Sequence, residues 1–190
     1  MIDFAENGEK FYYKGDALDD FLSYNILNTS KLNEEEYYRI YEFIAHEIFH
    51  LWNSYEHKHT GKSWLHEGSA TYFAIRTLAD LGYISKHKLL KLQSGYLDAC
   101  YDYYKNKSNK PMNNNTSDYS YYICGNSLHI LLERFENKHT VFKIWQALFK
   151  QGNYHSDDFI KQLKADKSIK NKTKSNLNDF STQRCYPCDR

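Results

Sequence analysis

The sequence predicts a mainly helical chain with a small N-terminal β element, an α+β class. Three observations predict it. After residue 33 the apolar residues recur at three- and four-residue spacing, which is the helical period. Only two prolines, Pro111 and Pro187, occur in 190 residues, and both fall at segment breaks. The short apolar runs that suit strands are confined to the first 32 residues.

Residues 1–32 read as irregular, with two short strand candidates at 9–15 and 24–27. A helix then starts sharply. Asn33 is a good N-cap, and Glu36 three residues on completes a capping-box pattern. Glu34, Glu35 and Glu36 complement the positive helix N-terminus. Ile40, Phe43, Ile44, Ile48 and Leu51 follow at helical spacing, which predicts a helix over about 34–54. Polar residues 54–62 read as a loop. A second helix is expected over about 65–81, stopped by Gly82. Ser85 caps a third, with Leu89, Leu92, Tyr96 and Cys100 among its apolar positions. Residues 105–118 hold nothing that suits a core and read as a loop. Helices over about 120–136 and 140–150, and one after Ser156, complete the pattern. From Lys161 onward, eight basic residues face three acidic ones, which reads as a solvated basic surface with at most a short helix near 177–180. The expected division is a folded unit over 1–165 and a basic polar tail over 166–190.

Composition excludes some function classes. The 25 Lys and Arg nearly cancel the 24 Asp and Glu, so a net charge of +1 gives no general attraction to nucleic acid or anionic membrane. No apolar run approaches the ~20 residues of a membrane span. The first residues lack the basic and apolar regions of a secretory signal, which slightly favours the cytoplasm. Cys100 and Cys124, in helical segments, read as buried free thiols. Cys185 and Cys188 form a lone C-x-x-C in a polar tail. That pair supplies too few ligands for a structural zinc site and reads as a tail feature or a local disulfide.

The chemistry is concentrated in the first long helix, in His46-Glu47-Ile48-Phe49-His50. Histidines four apart lie on one helical face, so both imidazoles can reach one metal ion. Glu47 is offset by roughly 100° from His46, which brings its carboxylate beside the metal rather than onto it. There it can act as the general base, and later the general acid, in hydrolysis by a metal-activated water. A catalytic zinc wants a third protein ligand. Glu67, a carboxylate in the first turn of an otherwise apolar second helix, is the candidate, because a metal would relieve the cost of burying it. Its neighbour His66 competes but is expected to face away. Gly68, Ser69 and Ala70 are expected to let the second helix approach the first. Thr71, one turn after Glu67, is a candidate partner for a ligand.

His46-Glu47-Ile48-Phe49-His50 followed by Glu67-Gly68-Ser69-Ala70-Thr71-Tyr72 resembles the gluzincin metallopeptidases of the aminopeptidase N family. The interval from Leu51 to His66 is sixteen residues, two fewer than in that family. The run His50-Leu51-Trp52-Asn53 is closer to the related glycyl aminopeptidases. The resemblance implies a thermolysin-like helical catalytic domain holding one zinc on His46, His50 and Glu67. It extends to Tyr122-Ile123-Cys124-Gly125, which is similar to the family's Y-x-K-G segment with cysteine in place of lysine. Tyr122 would then donate a hydrogen bond to the developing oxyanion. Phe4-Ala5-Glu6-Asn7-Gly8 is similar to the G-x-M-E-N segment, which implies that Glu6 binds the substrate's α-amino group. The family's large N-terminal β-rich domain has no counterpart here, so a catalytic-domain fragment or a shortened relative is expected.

The expected function is therefore zinc-dependent hydrolysis of peptide or protein substrates, of aminopeptidase type, with neither nucleic acid nor membrane as a partner. The alternative is a non-catalytic zinc-binding module or inactive fragment. An intact Glu47 argues against it, because a structural site has no use for that residue.

Overall fold

In the computed structural model, residues 12–18, 21–27, 32–53, 63–106 and 120–182 are described. A two-stranded hairpin precedes seven helices among them, so the mainly helical expectation holds. Strand β1 (Tyr12–Leu18) pairs antiparallel with β2 (Phe21–Leu27). β1 is shifted three residues from the expected strand and β2 is longer than expected, and Gly15 lies opposite Tyr24 rather than ending its strand. On β2, Leu22, Tyr24 and Ile26 are half-buried while Ser23 and Asn25 are exposed, the alternation of a one-sided sheet. The hairpin leans on α1 (Glu34–His50): the Tyr24 ring meets Phe43 edge-on at 5.7 Å, and its hydroxyl donates to the Ile44 carbonyl at 3.3 Å.

Helix α1 begins with the expected capping box. Asn33 Oδ1 accepts from the Glu36 amide at 3.0 Å, and Glu36 accepts from the Asn33 amide at 2.8 Å. It ends at His50, four residues early, because residues 51–53 turn to bury Asn53 completely. The remaining helices are α2 (Ser63–Asp80), α3 (Lys86–Asn106), α4 (Ser120–Phe135), α5 (Lys138–Gln151), α6 (Ser156–Ala165) and α7 (Asn171–Thr182). Gly82, at φ 80°, closes α2 in the left-handed conformation that glycine adopts without strain.

Helix α2 is the centre of the molecule, packed on α1 and α4 and buried around most of its circumference. At its crossing with α4, Gly68 and Gly125 bring the two backbones into contact. A Cβ on Gly125 would meet the Trp64 carbonyl and sit 2.9 Å from the Gly68 Cα. Gly68 thus serves the approach to α4, not the expected approach to α1. The aromatic core, with Trp145 between Phe49, Phe73 and Phe159, lies beneath α1 and α2.

Two expectations are corrected. Cys100 and Cys124 are not free thiols but form a disulfide between α3 and α4. The helices run side by side with these Cα atoms 5.1 Å apart, within the range a disulfide spans. A link across 24 residues stabilises by about 3 kcal/mol in the loop-entropy account. The polar tail also contributes to the core. Ile169 and Leu177 are buried, and α7 packs on α4. Apolar residues as far apart as Ile169 and Leu177 are too sparse a pattern to stand out among lysines and asparagines.

His129 of α4 is fully buried. Its Nδ1–H donates to the Gly125 carbonyl at 2.8 Å, and its Nε2 accepts from the Trp145 indole at 3.1 Å. Acceptance by Nε2 needs the neutral ring, and burial, against the Gly125 hydrogen bond, holds its pKa down to about 4. The unfolded chain binds this proton more readily, so stability is complete above about pH 6.5 and falls as pH drops toward 4. The expected loss is on the order of 3 kcal/mol. Urea unfolding at pH 7 and pH 4.5 measures it. His129→Gln should be less stable at pH 7 and lose less on acidification.

Candidate metal centre

The amphipathic pattern of α1 turns His46 and His50 toward the second turn of α2, where Glu67 projects. His46 Nε2 lies 3.1 Å from His50 Nε2 and 3.1 Å from Glu67 Oε2, and His50 Nε2 lies 3.3 Å from the same oxygen. The three atoms form a nearly equilateral triangle, largely shielded from solvent.

The surrounding hydrogen bonds assign the protons. Asn53 Nδ2 donates to the His66 carbonyl at 3.0 Å and to Ser69 Oγ at 3.3 Å, which turns Asn53 Oδ1 toward His50. His50 Nδ1–H donates to that oxygen at 2.8 Å, leaving a lone pair on Nε2. Thr71 Oγ1 donates to the Glu67 carbonyl at 3.0 Å and so accepts from His46 Nδ1–H at 3.3 Å. The His46 Nε2 lone pair therefore also points inward. Two imidazole lone pairs and a carboxylate oxygen facing one another at this range repel unless a cation lies between them. That donor set fits a metal ion.

The electrostatics agree. Burial would raise the Glu67 pKa, but the His46 and His50 rings beside it outweigh burial and hold the carboxyl well below the usual range. Burial would lower the His50 pKa, but Glu67, Asn53 and Glu47 outweigh it and raise it. Each group favours the charged form of the other, so the site stabilises positive charge opposite Glu67.

Tyr122 opens α4 beside this triangle. Its ring stands 5.8 Å from that of His46. Burial, the Glu67 charge and Tyr121 raise its pKa, so the phenol keeps its proton and remains a donor. The Gly68–Gly125 contact positions it, because Gly125 is nearly one turn after Tyr122 on the same helix. Glu47 of α1 lies within electrostatic reach of Tyr24 on the hairpin and of His50. Burial and the nearby Glu47 charge raise the Tyr24 pKa, and Glu47 also acts on His50. Its carboxylate thus stands beside the triangle and is not a corner of it.

Compared with protein-family models, curated proteins and solved structures, the chain matches none. The centre therefore rests on its own geometry.

Four of the sequence-derived site residues, His46, His50, Glu67 and Tyr122, are gathered at one point, with Glu47 adjacent. Thr71 meets His46, one of the three candidate ligands. Glu6 lies outside the described residues, as do Cys185 and Cys188. His66 does not face away: its ring stacks on His50 at 4.3 Å, and its Nε2 lies 3.8 Å from Glu67 Oε1. The α2 start turns more tightly onto α1 than periodicity alone suggested. Asn53 was missed as a functional residue. Its signals were its place in the His50-Leu51-Trp52-Asn53 run and its position three residues after His50, on the same side of the helix end. Asn53→Ala should weaken metal binding by about 10–100-fold, because His50 loses the acceptor that fixes its tautomer. Titration with a competing chelator measures this, and an unchanged affinity would show that Asn53 only packs.

Proposed function

We propose that the chain is a zinc-dependent peptidase of the gluzincin type, holding one zinc on His46, His50 and Glu67. The observation that carries this reading is the convergence of two Nε2 lone pairs and one carboxylate oxygen, with a separate carboxylate and a protonated phenol at hand. Zinc with four ligands at about 2.0–2.1 Å sets them roughly 3.3–3.4 Å apart. The triangle's edges of 3.1–3.3 Å support that size of ion.

When bound, zinc lowers the pKa of water and polarises a carbonyl. The protein's own groups do the rest. Glu47 takes the proton of the attacking water and returns it to the leaving amine. Tyr122 donates a hydrogen bond to the developing oxyanion. Asn53 and Thr71 keep the two imidazoles in the tautomer that points Nε2 inward. The aminopeptidase type and a thermolysin-like relationship are part of this reading through the sequence resemblance. The Cys100–Cys124 disulfide supports work in an oxidising compartment, against the slight preference for the cytoplasm. No helix among the described residues is long and apolar enough to cross a membrane.

Elemental analysis after zinc reconstitution should give about one equivalent per chain. Glu67→Ala should lose most of it, and His66→Ala should keep it. Less than about a tenth of an equivalent in the wild type would overturn the reading. Aminoacyl and internal peptide reporters then test turnover. Metal binding without cleavage of either would leave a metal-binding module.

A further inference from the structure

A groove runs along α3. Lys88, Lys91, Gly95 and Tyr96 of α3 line it, with Glu35 of α1 and Ile123 of α4 at its margins. Ile123 adjoins Tyr122, which fixes the near end. Tyr96 donates to Glu42 at 3.3 Å, and Glu42 is one turn before His46. Glu35 pairs with Lys88 at 2.5 Å, which fixes the far end. Glu35, Glu42 and His46 share one face of α1. The groove therefore runs beside α1, from the turn before His46, which Tyr96 touches through Glu42, to Glu35 at the start of the helix. At 1.5 Å per residue, Glu35 lies about 16 Å along the axis from His46. An extended peptide advances about 3.3 Å per residue, so about five residues cover the interval.

Charge selects the occupant. Glu35 is already neutralised, by Lys88 and by Arg39 at 3.9 Å. The Glu42 carboxylate is covered by the Tyr96 hydroxyl. Lys91 is exposed on the groove wall and has no ion pair among the described residues. Gly95 contributes no side chain, and nothing lies within 4 Å of where its Cβ would be, so a backbone can approach α3 there. The wall thus combines an open stretch for main chain with an uncompensated cation farther from the metal.

We propose that this groove takes an extended acidic peptide and selects substrates with Asp or Glu about three to five residues from the bond cleaved. Lys91 provides the main contact. The cleavage half of the statement rests on the peptidase reading, whereas the binding half does not.

Two decapeptides that differ only in carrying Glu or Gln at the fourth and fifth positions from the reporter bond test it. The Glu peptide should have a kcat/KM about fivefold higher, expressed through KM, as expected for partly exposed ion pairs. Lys91→Glu should abolish or invert that preference. Lys172→Glu, the same charge change on α7, should keep it. Fluorescence anisotropy of the labelled peptides on the Glu47→Gln chain measures binding without cleavage. A Glu preference lost in Lys91→Glu, with no cleavage by the wild type, would remove the peptidase reading and keep the groove. Equal affinity for the two peptides, or tighter binding of a Lys-bearing peptide, would overturn the proposal.

Discussion

Glu47→Gln is expected to leave metal content at the wild-type level and to lower peptide turnover by about 10²–10⁴-fold. Glu47 is not one of the three groups that converge on the ion site, so its loss removes no ligand. Gln has nearly the same shape, so the packing between α1 and the hairpin should persist. What changes is basicity. A neutral amide cannot accept the proton of the attacking water, whereas the carboxylate, within electrostatic reach of His50 and Tyr24, can. The effect should fall on kcat, with KM for a short peptide little changed. A variant that binds metal normally and retains most of its turnover would remove Glu47 as the base. A variant that loses its metal would show that Glu47 is a ligand.

The parts of this centre that lie within one helix were legible in the sequence. A four-residue spacing defines a face without knowledge of the rest of the fold, so His46, His50 and the separate direction of Glu47 follow from α1 alone. The capping box at Asn33 and Glu36 is equally local, and it forms as expected. Glu67 needed a chemical argument, the cost of burying a carboxylate in an apolar helix. The long-range partners were less legible. Periodicity shows that a helix has a face but not which helix meets it, so Gly68 was assigned to the wrong neighbour. For the same reason Cys100 and Cys124 gave no sign of each other until α3 and α4 were side by side. Asn53 gains its role only because its amide meets His66 and Ser69 across the gap between α1 and α2.

The crossing of α2 and α4 yields the largest expected effect on stability, and it comes with its own control. Gly125→Ala places a methyl group against the Trp64 carbonyl and 2.9 Å from the Gly68 Cα. Both obstacles are helix backbone, so neither can rotate away. The helices must separate, and packing around Leu65, Cys124 and Leu128, all fully buried, must loosen with them. Such overpacking is expected to cost on the order of 4 kcal/mol, beyond the usual range for a single methyl group. For a chain of this size that lowers the thermal midpoint by roughly 10 °C. The separation also moves the first turn of α4, and with it Tyr122, away from His46, so the folded fraction should turn over peptide more slowly at full metal content. Gly95→Ala makes the same chemical change in the interior of α3, where nothing lies within 4 Å of the new Cβ. There the lower backbone entropy of alanine in the unfolded chain dominates, and stability should rise by about 0.5–1 kcal/mol. Opposite signs for one substitution at two helical glycines isolate the steric contact from helix propensity. Calorimetry of the two variants measures both, and a Gly125→Ala midpoint equal to that of the wild type would mean that α2 and α4 do not meet at these glycines.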